Sequence, residues 1–138
     1  MHIQADVFAV EASCTNPELI IMLQPTSPIR QYNDIDNAIK KLKAEGADSL
    51  YSCRHVEGYI WDEDQQKPHP RTNRQDRKDN QYEENGSIYV FTPRVLAAGN
   101  RHGGHIARYE MHLLDSYQVD SEEDFNVVEL LAKYRLDL

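Results

Sequence analysis

Leu19-Ile20-Ile21-Met22-Leu23 is an unbroken apolar run that ends at a polar loop stiffened by two prolines, Pro25 and Pro28. A run of this length between turn signals suits a strand buried on both faces, as in a parallel sheet. The prolines stop the strand and restrict the backbone from Gln24 to Arg30. Polar side chains on such a loop lose little entropy on meeting a ligand. Gln24 offers both a donor and an acceptor, and the hydroxyls of Thr26 and Ser27 suit phosphate, sugar or base edges. In open α/β sheets ligands sit at the carboxyl ends of strands, which makes this junction a candidate site. The same residues equally suit a rigid turn that caps the next helix, and composition alone does not separate the two readings.

The rest of the chain supports alternating strands and helices. Asp6 to Cys14 has the spacing of a short helix, ended by Asn16-Pro17. Asn33 or Asp34 is placed to cap a helix whose apolar positions are Ile35, Ala38, Ile39 and Leu42, with Gly46 as its stop. Ser49 to Cys53 and Ser87 to Phe91 read as further strands of the same sheet, with Leu19 to Leu23 central. Thr92-Pro93 opens a short helix through Ala98, since proline is tolerated in a first turn. Gly103-Gly104 form a flexible loop before a short strand from Ile106 to Met111. Asp120-Ser121 caps a last helix with an apolar face of Phe125, Val128, Leu130, Leu131 and Tyr134. This order predicts one α/β domain over residues 1–138. From about Asp62 to Gln81 the composition turns polar and basic, which marks a long connection or an extended arm.

The chain has 138 residues and a formal net charge of -8. That acidity argues against nonspecific binding to nucleic acid or to an anionic membrane, but not against a small anion held by a few local cations or a metal. Cys14 and Cys53 fit no metal spacing, and no secretory or membrane-spanning run is present. Reduced thiols and a cytoplasmic location are the default. The six histidines show no ligand spacing. Neither cysteine has a base nearby in sequence, which speaks against a nucleophilic thiol.

Several strings, in order, carry a resemblance. Leu23-Gln24-Pro25-Thr26-Ser27-Pro28-Ile29-Arg30 is followed by Asp34 to Ile39 and by Gly46-Ala47-Asp48-Ser49-Leu50. Arg74-Gln75-Asp76 and Tyr82 come next, then Glu84-Asn85-Gly86-Ser87-Ile88-Tyr89, Tyr109-Glu110-Met111 and Ser116-Tyr117-Gln118-Val119-Asp120 with Asp124-Phe125. Together they resemble the acylneuraminate cytidylyltransferases, which activate sialic, legionaminic and pseudaminic acids as CMP-sugars. The resemblance implies a three-layer, Rossmann-like mixed sheet of the nucleotide-diphospho-sugar transferase type. It also implies transfer of CMP from CTP to a nine-carbon acidic sugar with release of pyrophosphate. A cytidylyltransferase for the eight-carbon sugar of lipopolysaccharide fits the Gln-Pro-Thr-Ser-Pro and Asn-Gly-Ser-Ile-Tyr strings less well.

By the same resemblance, Gln24, Thr26 and Ser27 line the cleft for nucleotide and sugar. Arg74, Asn85 and Tyr89 close the sugar side, and Asp120 anchors Mg²⁺ with a weaker contribution from Gln118. Where the family usually has Asp-x-Asp, this chain has Gln118 and Asp120, so a metal there feels one fewer negative charge. Without the resemblance, Arg74 is a solvated surface charge, Asn85-Gly86 a bend before a strand, and Asp120 a helix cap. The arm at about 57–82 implies a homodimer in which each copy reaches toward its neighbour's site. The family's opening Gly- and Arg-containing loop and its Lys-Asn pair, which cradle the CTP phosphates, match nothing in these residues. The expectation is therefore an N-terminally truncated family member comprising the C-terminal two-thirds, with little or no activity of its own. Its alternative is a catalytically inactive fragment or homologue that keeps the sugar-binding and dimerisation half.

Overall fold

The computed structural model describes residues 16–61, 74–76 and 80–138. The short helix expected over Asp6 to Cys14, and most of the basic arm, lie outside the described residues. Four strands form one mixed sheet: β1 (Ile20–Leu23), β2 (Ser49–Val56), β3 (Gln81–Phe91) and β4 (Ile106–Glu110). Their order is β1-β3-β2-β4. β3 runs antiparallel to both β1 and β2, and β4 runs parallel to β2. Three helices accompany them: α1 (Asp34–Glu45), α2 (Pro93–Ala97) and α3 (Glu122–Arg135). The described residues therefore form an α/β fold with a four-stranded mixed sheet.

Side-chain alternation along the strands splits the core in two. Leu50, Ile88, Val90 and Ala107 point to one face, where Ala38 and Leu42 of α1 meet them. Tyr89 and Phe91 point to the other face, where they pack with Val95 and Leu96 of α2. α1 follows its sequence pattern, with Ile35 and Ile39 packed against the first cluster. Its stop at Gly46 is left-handed, with φ of 59°, a conformation that glycine adopts without a Cβ clash. Asn33 precedes α1 without a side-chain cap. Instead Asp34 reaches back, accepting from the Gln31 amide at 2.6 Å and from the Tyr109 hydroxyl at 2.9 Å.

Two expectations are corrected. Among the described residues β1 is an edge strand, not the central one. Ile20 and Met22 pack on the α2 face, but Ile21 and Leu23 are 41% and 40% exposed on the other, because α1 lies over β2, β3 and β4 rather than β1. An unbroken apolar run shows that both faces are apolar; it does not show that both are covered. The second correction concerns α3. Val128 is its one buried residue, and Phe125, Leu130 and Tyr134 of the expected core face are exposed. Ser121, rather than Asp120, caps α3, in a reciprocal box with Asp124. The Gly103-Gly104 loop is also tied down: Gly103 exchanges two 3.0 Å hydrogen bonds with the Ser49 hydroxyl.

What holds α3 to the domain is chiefly a charge pair. Asp115, in the short 3-10 turn Leu113–Asp115 after β4, is buried and receives both Nε and Nη2 of Arg135, at 2.7 and 2.8 Å. Gln31 Nε2 donates to the same carboxylate at 3.2 Å. Burial pushes the Asp115 carboxyl up, but hydrogen bonds from Arg135 and Gln31, with the charge of Arg135, outweigh it and hold the carboxyl below its usual value. A carboxyl depressed on folding stabilises above its unfolded value of about 4 and loses that contribution as pH falls through the lower folded value. Asp115→Ala is expected to lower the thermal midpoint at pH 7 by roughly 5 °C or more and to remove the acid-side loss that this group causes. Thermal unfolding of both proteins between pH 7 and pH 2 checks this; equal midpoints at pH 7 would contradict it.

Candidate functional site

The β2–β3 ladder is broken at one place, and the candidate site is built around that break. Tyr51 pairs with Tyr89, but the next pair is Cys53 with Glu84. Ser52 alone thus stands opposite Asn85, Gly86, Ser87 and Ile88, and β3 bulges. A bulge removes ladder partners from buried backbone groups, and each such group is costly to leave unpaired. Two side chains replace the lost partners. The Ile88 amide donates to the Ser52 hydroxyl at 2.7 Å, and the Ser87 amide donates to Asn85 Oδ1 at 3.2 Å. The Ser52 hydroxyl in turn donates to Asn85 Oδ1 at 2.6 Å.

Asn85 extends this network to three other parts of the chain. Its Nδ2 donates to the Ser116 hydroxyl at 2.9 Å and contacts Met111 Sδ at 3.4 Å. Its backbone carbonyl accepts from the Ser27 hydroxyl at 2.9 Å. Asn85 is 2% exposed. Both ends of its amide are engaged by the protein, and so is the Ser27 hydroxyl. In this structure these two residues hold the loop rather than present a free polar group to a ligand.

The proline-bracketed loop is anchored at both ends. Arg30 Nη2 donates to the carbonyls of Gln24 at 2.9 Å and Ser87 at 3.0 Å. The Ser27 amide closes a turn onto the Gln24 carbonyl at 3.2 Å, and the Val119 amide donates to the Thr26 carbonyl at 2.8 Å. These bonds bring the Gln24 loop, the β3 bulge and the segment after β4 together. Gly86 is where they meet. Its φ is 67°, and a Cβ there would collide with Gln24 Oε1 and press on Gln118 Oε1 at 3.3 Å. Glycine is required twice over, for the left-handed backbone and for the approach of two glutamine amides.

Gln118 and Asp120 line one open cleft of about 260 Å³, together with Arg54, Glu83, Leu113, Ser116 and Tyr117. Asp120 is exposed, and its backbone amide donates to Asp124 Oδ2 at 3.1 Å. Among the described residues no group of three or more His, Cys, Asp or Glu side chains is placed to hold a metal. Arg54 of β2 pairs with Glu83 of β3 at 2.5 Å, directly across the ladder.

Tyr89 stands apart from this cleft, on the α2 face of the sheet. Its hydroxyl donates to Glu84, the Arg101 guanidinium lies 5.4 Å from its ring centre, and the His102 ring lies 5.8 Å away. Burial, then the Glu84 carboxylate, push the phenol up to about 12, so it stays protonated and donates. Cys53 is buried and free, and burial raises its thiol to about 11, which leaves it a poor nucleophile. Arg74 opens a 3-10 turn, Arg74–Asp76, and its side chain lies outside the described residues.

Of the expected site residues, the structure thus gathers Gln24, Thr26, Ser27, Asn85, Gln118 and Asp120 around Gly86 and the adjoining cleft. Tyr89 is placed with Glu84, Arg101 and His102. Arg30 and Arg54 were not singled out from the sequence. Arg30 sits in the loop motif and had a signal; Arg54 lies in a strand with nothing to distinguish it.

No family model matches the chain. Over 123 aligned residues, covering 81% of the chain, it is 29% identical to N-acylneuraminate cytidylyltransferase B of Danio rerio. The chain spans 29% of that protein's length. Among the described residues, no helix is long and apolar enough to cross a membrane.

Asn85→Ala removes four hydrogen-bonding contacts from a buried site and leaves the Ser87 amide without an acceptor. The expected loss is about 2–4 kcal/mol of unfolding free energy, since orphaned buried groups carry their full desolvation cost. Urea denaturation measures it, and a loss near zero would show that the network does not hold the bulge.

Proposed function

We propose that this chain is part of a cytidylyltransferase that transfers CMP from CTP to a nine-carbon acidic sugar of the N-acylneuraminate or legionaminate type, releasing pyrophosphate. The observation that carries the reading is the convergence of Gln24, Gly86 and Gln118. Three separate sequence motifs meet at one point beside an open cleft. The similarity to an N-acylneuraminate cytidylyltransferase supports the same reading.

In this reading the sugar hydroxyl attacks the α-phosphorus of CTP, and the pyrophosphate leaves. Such transfer rests mainly on positioning and charge neutralisation. Gln24 presents its amide to the ligand at the mouth of the loop, beside Thr26. Ser27 and Asn85 act by fixing that loop, because their polar groups are engaged internally. Tyr89, buried and kept protonated with its hydroxyl held by Glu84, supports the sugar side from within the fold, and the role assigned to Arg74 is to meet the acidic group. Asp120 and Gln118 supply a carboxylate and an amide oxygen to one cleft. That is a hard-oxygen donor set suited to Mg²⁺, which commonly takes one or two carboxylates with phosphate and water completing the shell. When bound, the metal would neutralise phosphate charge. The proposal includes a homodimer and a cytoplasmic location; most of the arm at about 57–82 expected to reach the partner lies outside the described residues.

The 138 residues contain no counterpart of the loop that cradles CTP phosphates. This chain alone is therefore expected to bind N-acetylneuraminate or CMP with little turnover. Losing preorganised phosphate contacts costs about 10²-fold or more in rate. An inactive homologue that keeps only the sugar-binding half would bind the sugar and not the nucleotide.

Two experiments test this. In ¹⁵N-resolved NMR, adding N-acetylneuraminate and CMP should shift the resonances of Gln24, Gly86 and Gln118; no shift at any of them would sink the reading. A pyrophosphate assay with CTP, Mg²⁺ and either sugar should give little signal, and robust turnover would overturn the need for the absent loop. For the metal, Mn²⁺ should broaden the amides of Gln118 and Asp120. Asp120→Asn should weaken this effect and Gln118→Asp strengthen it, because each changes the anionic oxygens available. The structure makes this test clean, since Ser121 caps α3 and Asp120 does not.

A further inference from the structure

The cleft beside Gly86 is lined by one cationic side chain among the described residues, Arg54. Arg54 and Leu113 also line a second, neighbouring cleft of about 310 Å³, so Arg54 stands on the divide between the two. Its guanidinium pairs with Glu83, Nη2 lying 2.5 Å from Oε2. The Arg54 side chain is 32% exposed and that of Glu83 is 55% exposed. An exposed pair of this kind contributes little to stability, so separating it is inexpensive. A guanidinium presents five donors in a planar fork that matches phosphate and carboxylate oxygens. The Glu83 carboxylate engages that fork at Nη2.

Resting on the function proposed above, we propose that Arg54 is an oxyanion-binding residue of this cleft and that Glu83 is its built-in competitor, displaced when the ligand arrives. The oxyanion is a phosphate of the nucleotide or the carboxylate of the acidic sugar. Arg54 is positioned by β2 directly opposite Glu83 in the ladder, and both side chains rise into the cleft that Gln118 and Asp120 line. Displacement returns Glu83 to solvent, where its charge is hydrated, and leaves Arg54 its full fork for the ligand.

The sign of the Glu83 effect separates this role from a structural one. Isothermal titration with CMP in one arm and N-acetylneuraminate in the other should show, for one of the two ligands, binding that Arg54→Gln weakens at least about tenfold, the worth of a charge-assisted hydrogen bond. Glu83→Gln should tighten the same ligand about two- to fivefold, the range set by the exposed pair it removes. Arg54→Lys should fall between, because charge is kept and the fork is lost. Thermal midpoints of the variants within about 3 °C of the parent would show that folding is not the cause. If the parent binds a ligand and Arg54→Gln binds it equally well, or Glu83→Gln weakens it, the assignment of Arg54 and Glu83 is overturned while the function stands. If the parent chain binds neither ligand, the proposed function fails and this inference with it.

Discussion

The rest of the site depends on how the backbone is satisfied where β3 leaves its ladder. A sheet interrupted by four residues against one would ordinarily leave buried amides without acceptors. Ser52 and Asn85 fill that gap with side-chain oxygens. Because Asn85 has two ends, it serves the bulge with its oxygen and reaches Ser116 and Met111 with its nitrogen. One side chain therefore sets the height of the bulge and the position of the segment that carries Gln118 and Asp120. The Ser27 hydroxyl then fixes the proline loop to the same residue's carbonyl. An irregularity in one strand becomes the point to which two loops from distant sequence are referred.

Charge performs a comparable task at the other end of the same segment. Asp115 lies five residues before Asp120, and the fork of Arg135 and the amide of Gln31 hold it. Gln31 directly follows the proline loop, and Arg135 ends α3. The segment from Leu113 to Asp120 is thus held at Asp115, at Ser116 and, through the Val119–Thr26 bond, next to the cleft. Burying a carboxylate is costly unless it is paired, and here two donors to both oxygens offset the cost. α3 needs such a tie because only Val128 of its apolar residues is buried. Geometric restraint of this kind suits a cleft whose lining residues must keep their spacing.

Much of the fold was legible in the sequence. The period of α1, its glycine stop, the proline opening of α2 and the strand at Ile106 appear where local pattern places them, while the strands expected over Ser49 to Cys53 and Ser87 to Phe91 are longer, running on to Val56 and starting already at Gln81. Local pattern reports which faces are apolar and where backbone turns. It carries no information on what covers a face. β1 and α3 were misplaced for that one reason, in opposite parts of the chain. The site was legible at the level of motif and not at the level of role. Asn85 and Ser27 carry polar groups in the right motifs, and their hydrogen bonds turn inward. Whether an amide faces a ligand or a bulge is decided by register, and the three-residue slip between Tyr51 and Cys53 pairing has no local sequence signal beyond Gly86. Arg54 was invisible for the complementary reason: on a strand, a charged residue reads as a solvated one until a cleft is seen beside it.

The electrostatics of that cleft follow from the same placement. One guanidinium faces two carboxylates, Glu83 and Asp120, and Gln118 contributes an oxygen without charge. Arg54 pairs with Glu83 across the β2–β3 ladder, and Asp120 is the other charged side chain of the lining. On the function proposed above, a neutral glutamine at position 118 limits the repulsion that a third carboxylate would add toward an anionic ligand, whereas a carboxylate there would favour a divalent cation. On the same reading, the Arg54–Glu83 pair sets how much positive charge the cleft offers that ligand. The glutamine and the ion pair are then two parts of one charge arrangement, and neither can be interpreted without the other.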